Sequence, residues 1–382
     1  GALVLAIKNK LNAYSCETGD LIASVSMAQS TNNAYVPLSY ADGTVYVPQN
    51  GNSIGAYGFD GKTLSVKWEK KFAVAEGSSE GFGVSPILCC EGKLYLGFSS
   101  TATVNDYEFI CVDAENGELL WRYAHQGGFY WAGAVEAGDY IVVGSEKGKD
   151  AETATLFSFK KSYGADELDA EKKAAPVQAF ETLGVYPIRS SMAYKDGSVY
   201  FTGRNGYLCS AKINADGRFS DFKKADYGAG ETTSTPVVYG DYVYFGTGSL
   251  TNASVTPYLR IAQRDTLKVV KSVELPEYPQ APGLLSTAYE KTDGNLYFYV
   301  AGNNAAGGLY CVQINAKDPT EAEAFEIFCD REHSGNSLAS PICDDAGNLY
   351  YHNDANCLYK ITTATSAVPM ISKNLTGVTA KY

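Results

Sequence analysis

A Val-Tyr or Leu-Tyr pair recurs behind a glycine turn along the whole chain. The copies are Val45-Tyr46 after Asp42-Gly43, Leu94-Tyr95 after Gly92, Val199-Tyr200 after Asp196-Gly197, Val243-Tyr244 after Gly240-Asp241, Leu296-Tyr297 after Asp293-Gly294 and Leu349-Tyr350 after Gly347. A degenerate copy is Tyr140-Ile141-Val142-Val143 after Gly138-Asp139. Gly/Asp turns flanked by β-branched and aromatic residues are hairpin signals. The spacing of roughly 45–60 residues is that of all-β blade repeats. A unit so small cannot bury an apolar face alone, so the units must stack on one another. This constrains the fold more than the length of 382 residues, which alone suggests two or three domains.

Each unit reads as four short strands, A to D. Strand A is expected to end near a proline: Val36-Pro37, Ser85-Pro86, Thr235-Pro236 and Ser340-Pro341. Strand B is the Val-Tyr run, apolar throughout rather than alternating, as in a sheet covered on both faces. Strand B opens near residues 3, 44, 93, 140, 198, 242, 295 and 348, which makes eight units. The first unit lacks strand A. The last has A within 337–343 and D within 367–372, with a remainder at 375–382. That remainder is expected to supply the missing strand, which removes two exposed sheet edges. The expected fold class is therefore all-β: an eight-bladed β-propeller of four-stranded antiparallel blades, one domain over 1–382, closed by pairing of its N- and C-terminal strands. A polar stretch at 160–175 reads as a surface helix or loop between strands C and D of the fourth unit.

Composition narrows the partners. The net charge is −12, which disfavours attraction to nucleic acid or anionic lipid. No run of about 18 apolar residues exists, so no helical membrane span is expected. Gly1 leads straight into the strand-like Ala2-Leu3-Val4-Leu5-Ala6-Ile7, as in a chain whose leader has been removed. The nine cysteines form no CxxC pair and no zinc-spaced cluster. Cys111, Cys209 and Cys311 occupy one repeat position, which Ala13 and Ala56 fill in other units. A slot shared by Ala and Cys calls for a small buried apolar group.

The run Cys111-Val112-Asp113-Ala114-Glu115-Asn116-Gly117-Glu118-Leu119-Leu120-Trp121 resembles the repeat of quinoprotein-type (PQQ-like) β-propellers. Ala13 to Gly19 matches its front half, and Lys67-Trp68 repeats the strand-D tryptophan after Asp60-Gly61-Lys62-Thr63. The resemblance implies that Trp68 and Trp121 pack between neighbouring blades. The family includes pyrroloquinoline-quinone dehydrogenases. It also includes propellers without quinone, among them an outer-membrane assembly lipoprotein and many bacterial surface proteins, so the fold leaves function open. A quinone site requires a Ca²⁺ cage and an Asp base, and some members carry an adjacent-cysteine disulfide against the quinone. Cys89-Cys90 is the only such pair here, but it sits beside the A–B turn, away from the usual ligand face. Packing or turn cysteines are the expectation, with no cofactor; PQQ with calcium is the alternative.

The D–A loops carry the positive signal. They hold Phe82, Phe129, Tyr130, Trp131, Tyr186 and Tyr278, with Arg189 and Arg204 as cationic companions and His333 in a later loop. Rigid aromatics at a loop face stack on sugars or anchor a partner's side chain. His125, His333 and His352 each lack a nameable catalytic partner and are expected at the solvent surface. The expected function is non-catalytic: a binding or scaffold propeller, a monomeric domain of a longer secreted or cell-surface bacterial protein. It would engage a protein or carbohydrate partner on the D–A/B–C loop face, with no nucleic acid and no membrane insertion. The alternatives are a PQQ/Ca-dependent dehydrogenase and a carbohydrate-active lyase or hydrolase.

Overall fold

The computed structural model describes residues 1–31, 37–100, 105–147, 152–304, 306–362, 371–374 and 380–381. They form eight antiparallel sheets, one three-stranded, six four-stranded and one five-stranded. Every strand pairs with its neighbour in sequence, so each sheet is a meander. Among the described residues, helix is confined to two single turns, Ala165–Glu167 and Glu290–Asp293. The chain is all-β, with the eight blades of an eight-bladed β-propeller. The B strands are Ala2–Ile7, Thr44–Gln49, Lys93–Gly97, Tyr140–Gly144, Ser198–Gly203, Tyr242–Thr247, Asn295–Gly302 and Leu349–Asn353. Thr44–Gln49 is buried at every position, its polar ends Thr44 and Gln49 included, as in a strand covered on both faces.

Contacts divide the chain into two compact units. The first comprises Gly1–Ser15, Asp20–Arg204 and Cys209–Phe222, and the second Cys16–Gly19, Asn205–Leu208 and Lys223–Tyr382. Within each unit the apolar core lies between successive sheets. In the first unit, Tyr46, Ile54, Ala56 and Trp68 of the second sheet pack with Leu94, Leu96, Ile110 and Val112 of the third. In the second unit, Leu259 and Ile261 of the sixth sheet pack with Leu296, Phe298 and Val312 of the seventh. The Cys16–Gly19 turn belongs to this second unit. The Cys16 carbonyl accepts from the Lys360 ammonium at 2.6 Å and the Tyr350 hydroxyl at 3.4 Å.

The repeat motif has a geometric explanation. Cys111 on strand C stands opposite Trp121 on strand D, and Ala56 opposite Trp68. A small residue beside an indole leaves room for the ring on that face. A bulge follows at once in both sheets, between Cys111 and Val112 and between Ala56 and Tyr57. The turn after strand C closes through Asp113, whose Oδ1 accepts from the amides of Glu115 (2.9 Å) and Asn116 (3.0 Å). Gly117 then takes φ 72°, and a Cβ there would meet the Trp68 ring at 2.7 Å. The Trp68 indole N–H donates to the Ala114 carbonyl at 3.1 Å. The motif of one sheet thus receives the tryptophan of the sheet before it.

Several expectations need correction. Strand A does not end near the proline but begins after it: Ser39–Ala41 follows Pro37, Leu88–Cys90 follows Pro86, Val237–Tyr239 follows Pro236 and Ile342–Cys343 follows Pro341. Proline has no N–H for the ladder, so it borders the strand on its N-terminal side. Val36 itself, 367–370 and most of the expected closing strand (375–379 and 382) lie outside the described residues. Ala380–Lys381 pairs with Lys373 and Ser372, making a fifth strand of the last sheet. A hairpin partner a few residues away closes a much shorter loop than one at the far end of the chain. The first sheet has three described strands, Ala2–Ile7, Lys10–Ser15 and Leu21–Ser26. The polar stretch at 160–175 forms only the turn Ala165–Glu167, then runs along strand D of the third sheet (Leu119–Gln126). Arg122 donates its N–H to the Lys172 carbonyl and accepts from the Ala174 amide, at 2.9 and 2.8 Å.

Candidate functional site

In the first unit, three D–A loops interlock. They lie at 72–87, 127–134 and 182–192, between the strands that bound them. The Ser85 hydroxyl donates to the Phe129 carbonyl. The Glu146 amide donates to the Gly128 carbonyl at 2.9 Å, and the Ile188 amide to the Ser145 carbonyl at 3.2 Å. A Cβ on Gly133 would fall 2.0 Å from the Ser191 hydroxyl and 3.2 Å from Pro86, so the loops meet backbone to side chain there.

A buried ion pair pins the longest of the three. Glu108 and Arg122, on strands C and D of the third sheet, are 3.2 Å apart and almost fully buried. Glu108 also accepts from the Ala75 amide at 3.4 Å and the Asn52 side-chain amide at 3.4 Å. Arg122 donates to the Ala73 carbonyl at 2.7 Å, and Asn52 accepts from the Gly81 amide at 2.8 Å. Burial raises the Glu108 pKa despite the guanidinium beside it.

Phe129, Tyr130 and Trp131 are adjacent in sequence and have three different environments. Phe129 is fully buried, 5.4 Å from the Phe109 ring, and a Cβ on Gly97 would collide with it at 2.2 Å. It is core, because its loop folds inward onto strand B of the third sheet. Tyr130 is 8% exposed, and the Arg189 guanidinium lies over its ring at 4.9 Å. Arg189 is held there by an ion pair with the Glu146 carboxylate. Trp131 is half-buried, with its ring 4.9 Å from Tyr130 and its backbone at φ 58°. Bulky side chains rarely adopt that left-handed conformation. Phe82 is 40% exposed, Tyr186 is half-buried, and Arg204 is half-buried with its amide donating to the Pro187 carbonyl at 3.0 Å.

In the second unit, Tyr278 is buried against Gly248, where a Cβ would stand 2.6 Å from its ring. It is a packing residue, because its loop passes directly over that glycine. His333 is half-buried and pairs through Nδ1 with Asp330 at 2.9 Å. The Tyr359 hydroxyl donates to the same carboxylate at 3.2 Å. Burial opposes the charge on Asp330, but the His333 ring and amide and the Glu332 amide together hold its carboxyl below the ordinary value. The other histidines are not freely solvated. His125 packs edge-on to Phe157 at 4.8 Å with Nε2 at 2.8 Å from the Lys147 carbonyl, and burial lowers its pKa. Burial also lowers the His352 pKa.

The cysteines are free thiols. Cys111 and Cys209 are fully buried, and Cys311 is 7% exposed. Burial pushes the Cys89 and Cys90 thiols up to about 11. Among the described residues, the only trio of metal-type ligands is Cys90, Glu91 and Glu136. The Lys161 ammonium already bridges both of its carboxylates, at 2.7 Å from Glu91 and closer to Glu136. That set does not suit a calcium cage, which needs six to eight oxygens and no competing cation.

Sequence reasoning missed the charged residues that organise these loops. Glu108 within Tyr107-Glu108-Phe109-Ile110, and Arg260 within Leu259-Arg260-Ile261, are charges embedded in apolar strand runs. Such a residue is rarely buried without a purpose, and that was the available signal.

No family model matches the sequence, and no curated protein matches it. Solved structures do match. BamB from Moraxella catarrhalis superposes with a TM-score of 0.60 at 12% identity, over 96% of this chain and 93% of that one. Quinohemoprotein alcohol dehydrogenase from Comamonas testosteroni gives 0.61 at 13% identity, over 94% of this chain and 68% of that one. A europium-containing methanol dehydrogenase gives 0.57 at 11% identity, over 94% and 80%. This likeness establishes the fold, the PQQ-like eight-bladed β-propeller, and at such identities nothing finer.

Proposed function

We propose that this chain is a non-catalytic binding propeller that engages a protein or glycan partner through its D–A/B–C loop face, in a secreted or cell-surface bacterial protein. The observation that carries this reading is the set Trp131, Tyr130, Arg189 and Glu146. A partly exposed indole rests on a tyrosine, the tyrosine is capped by a guanidinium, and the guanidinium is fixed by a buried carboxylate. Binding hot spots are built from rigid Trp, Tyr and Arg of this kind, because little side-chain entropy is left to lose. Phe82, exposed on the adjoining loop, extends the same surface. Phe129 and Tyr278 are set aside as core. The assignment to a secreted or surface protein rests on the family resemblance.

Support for the quinoprotein alternative is limited to the fold. The trio Cys90, Glu91 and Glu136 is the one His/Cys/Asp/Glu cluster among the described residues, and its carboxylates already hold Lys161. The test has two arms. Addition of PQQ and Ca²⁺, followed by a dye-linked alcohol assay, is expected to give neither a bound chromophore nor turnover. Trp131→Ala is expected to abolish retention of a ligand that the wild-type chain holds, with the fold intact. Turnover in the first arm would reverse the reading.

A further inference from the structure

Three arginines in the described chain are held largely out of water. Arg122 has Glu108 at 3.2 Å, and Arg189 has Glu146. Arg260 is 8% exposed and has no carboxylate within ion-pair distance among the described residues. A guanidinium stays charged at any physiological pH, so burial does not neutralise it. The chain supplies a counter-ion to two of its buried arginines and not to the third.

The hydrogen-bond partners of Arg260 are polar but neutral. It lies on strand C of the sixth sheet, Tyr258–Gln263. Nε donates to the Thr247 hydroxyl at 3.0 Å, Nη1 to the Ser272 hydroxyl at 2.9 Å and Nη2 to the Ala229 carbonyl at 3.4 Å. The Tyr258 and Tyr227 rings lie 4.9 and 5.9 Å from the guanidinium carbon. Three of the five N–H groups of the fork are thus used. Nε is directed at the fully buried Thr247, whereas Nη1 and Nη2 reach Ser272 and Ala229, which are less buried. Above Nη2 runs the loop Tyr227-Gly228-Ala229-Gly230. Gly228 holds φ 91°, and a Cβ built on it would have one neighbour within 4 Å, Nη2 itself at 3.8 Å. Any larger residue at 228 would cover the guanidinium. Asp226 acts on Arg260 electrostatically, but it forms no ion pair with it, and its Oδ1 accepts from the Gly228 amide at 2.6 Å.

We infer that Arg260 is the base of an oxyanion-binding site, which takes a carboxylate or phosphate group between the Gly228 loop and the Ser272 hydroxyl. One N–H remains on each terminal nitrogen, and a guanidinium presents such a pair to the two oxygens of a carboxylate or phosphate. The inference goes beyond the partner-binding reading, and it stands whether or not Trp131 contacts a partner.

The experiment is thermal melting and calorimetric titration of the whole chain with sodium acetate and, separately, inorganic phosphate. Ionic strength is held constant with chloride. The expected result is a saturable rise in Tm and a saturable heat with at least one of them; the responding anion identifies the group as carboxylate or phosphate. Arg260→Met should weaken that response by roughly tenfold or more. Arg218→Met, at an exposed guanidinium 4.0 Å from Asp216, should leave it unchanged. If the Met variant does not fold, Arg260→Lys keeps the charge without the fork and should still weaken binding. Absence of any saturable response in the wild type up to tens of millimolar, or an undiminished response in the folded Arg260 variant, would overturn the inference.

Discussion

Cys111 and Trp121 face one another across strands C and D of the third sheet. The indole fills the space left by the thiol, stacks on Phe159 at 5.1 Å and meets Tyr163 edge-on at 5.5 Å. Tyr163 comes from the polar stretch between strands C and D of the fourth sheet, which thereby acts as a lid on the tryptophan. Replacing Trp121 by Ala should cost about 3–5 kcal/mol, because the ring is 1% exposed and its cavity cannot collapse. Cys111→Ala should cost far less, while Cys111→Leu should destabilise by about 1–3 kcal/mol through overpacking. Urea unfolding of the three variants decides the order.

The Glu108–Arg122 pair should show a strong asymmetry. Glu108→Leu alone leaves a buried guanidinium unpaired, and a loss of about 3–5 kcal/mol is expected. The double variant Glu108→Leu/Arg122→Met should recover much of that loss. A double-mutant cycle measures the coupling, and additive losses would show that the pair does not act as a unit.

The blade count and the Cys/Ala slot were legible because both rest on local periodicity: Tyr after a glycine turn, and a small residue across from a bulky one. What needed the structure was long-range. Glu108 and Arg122 are 14 positions apart, and Arg189 and Glu146 are 43 apart. Nothing in the spacing ties them together. Phe129 and Trp131 are two residues apart and look equivalent as loop aromatics. One is core and the other half-buried, and the backbone at Trp131 takes a φ of 58° that no pattern of residue types announces. The prolines pose the same difficulty: the motif marks a boundary of strand A, and only the ladder shows on which side the strand lies.

Glu277 gives a pH signature. It is 4% exposed, and its Oε2 has no hydrogen-bond partner among the described residues. Burial, and then repulsion from Glu326, raise its pKa above the ordinary 4.5. A carboxyl whose folded value lies above its unfolded value binds its proton more tightly in the folded state. Its ionised form therefore destabilises the fold above the raised value, and stability is regained as pH falls from that value towards 4.5. Glu277→Gln should raise Tm near pH 8 and lose that advantage as the pH approaches 4.5. A difference that is constant with pH would refute this account.

The backbone strain at Trp131 makes a separate prediction. A left-handed non-glycine residue costs about 1–3 kcal/mol. Trp131→Gly should recover part of that cost and offset the lost contact with Tyr130, so that stability stays within about 1 kcal/mol of the wild type. A large loss on denaturant unfolding would show that the indole is a packing residue rather than a displayed one.

The most direct test of the central claim compares what the wild-type chain and a folded Trp131→Ala variant retain from a printed glycan panel and from a cross-linked surface-protein extract. The two samples would be matched for Tm. The account predicts at least one ligand that binds the wild type saturably and is lost from the variant, with its binding restored by Trp131→Phe. Identical retention by wild type and Trp131→Ala across both sources would contradict it.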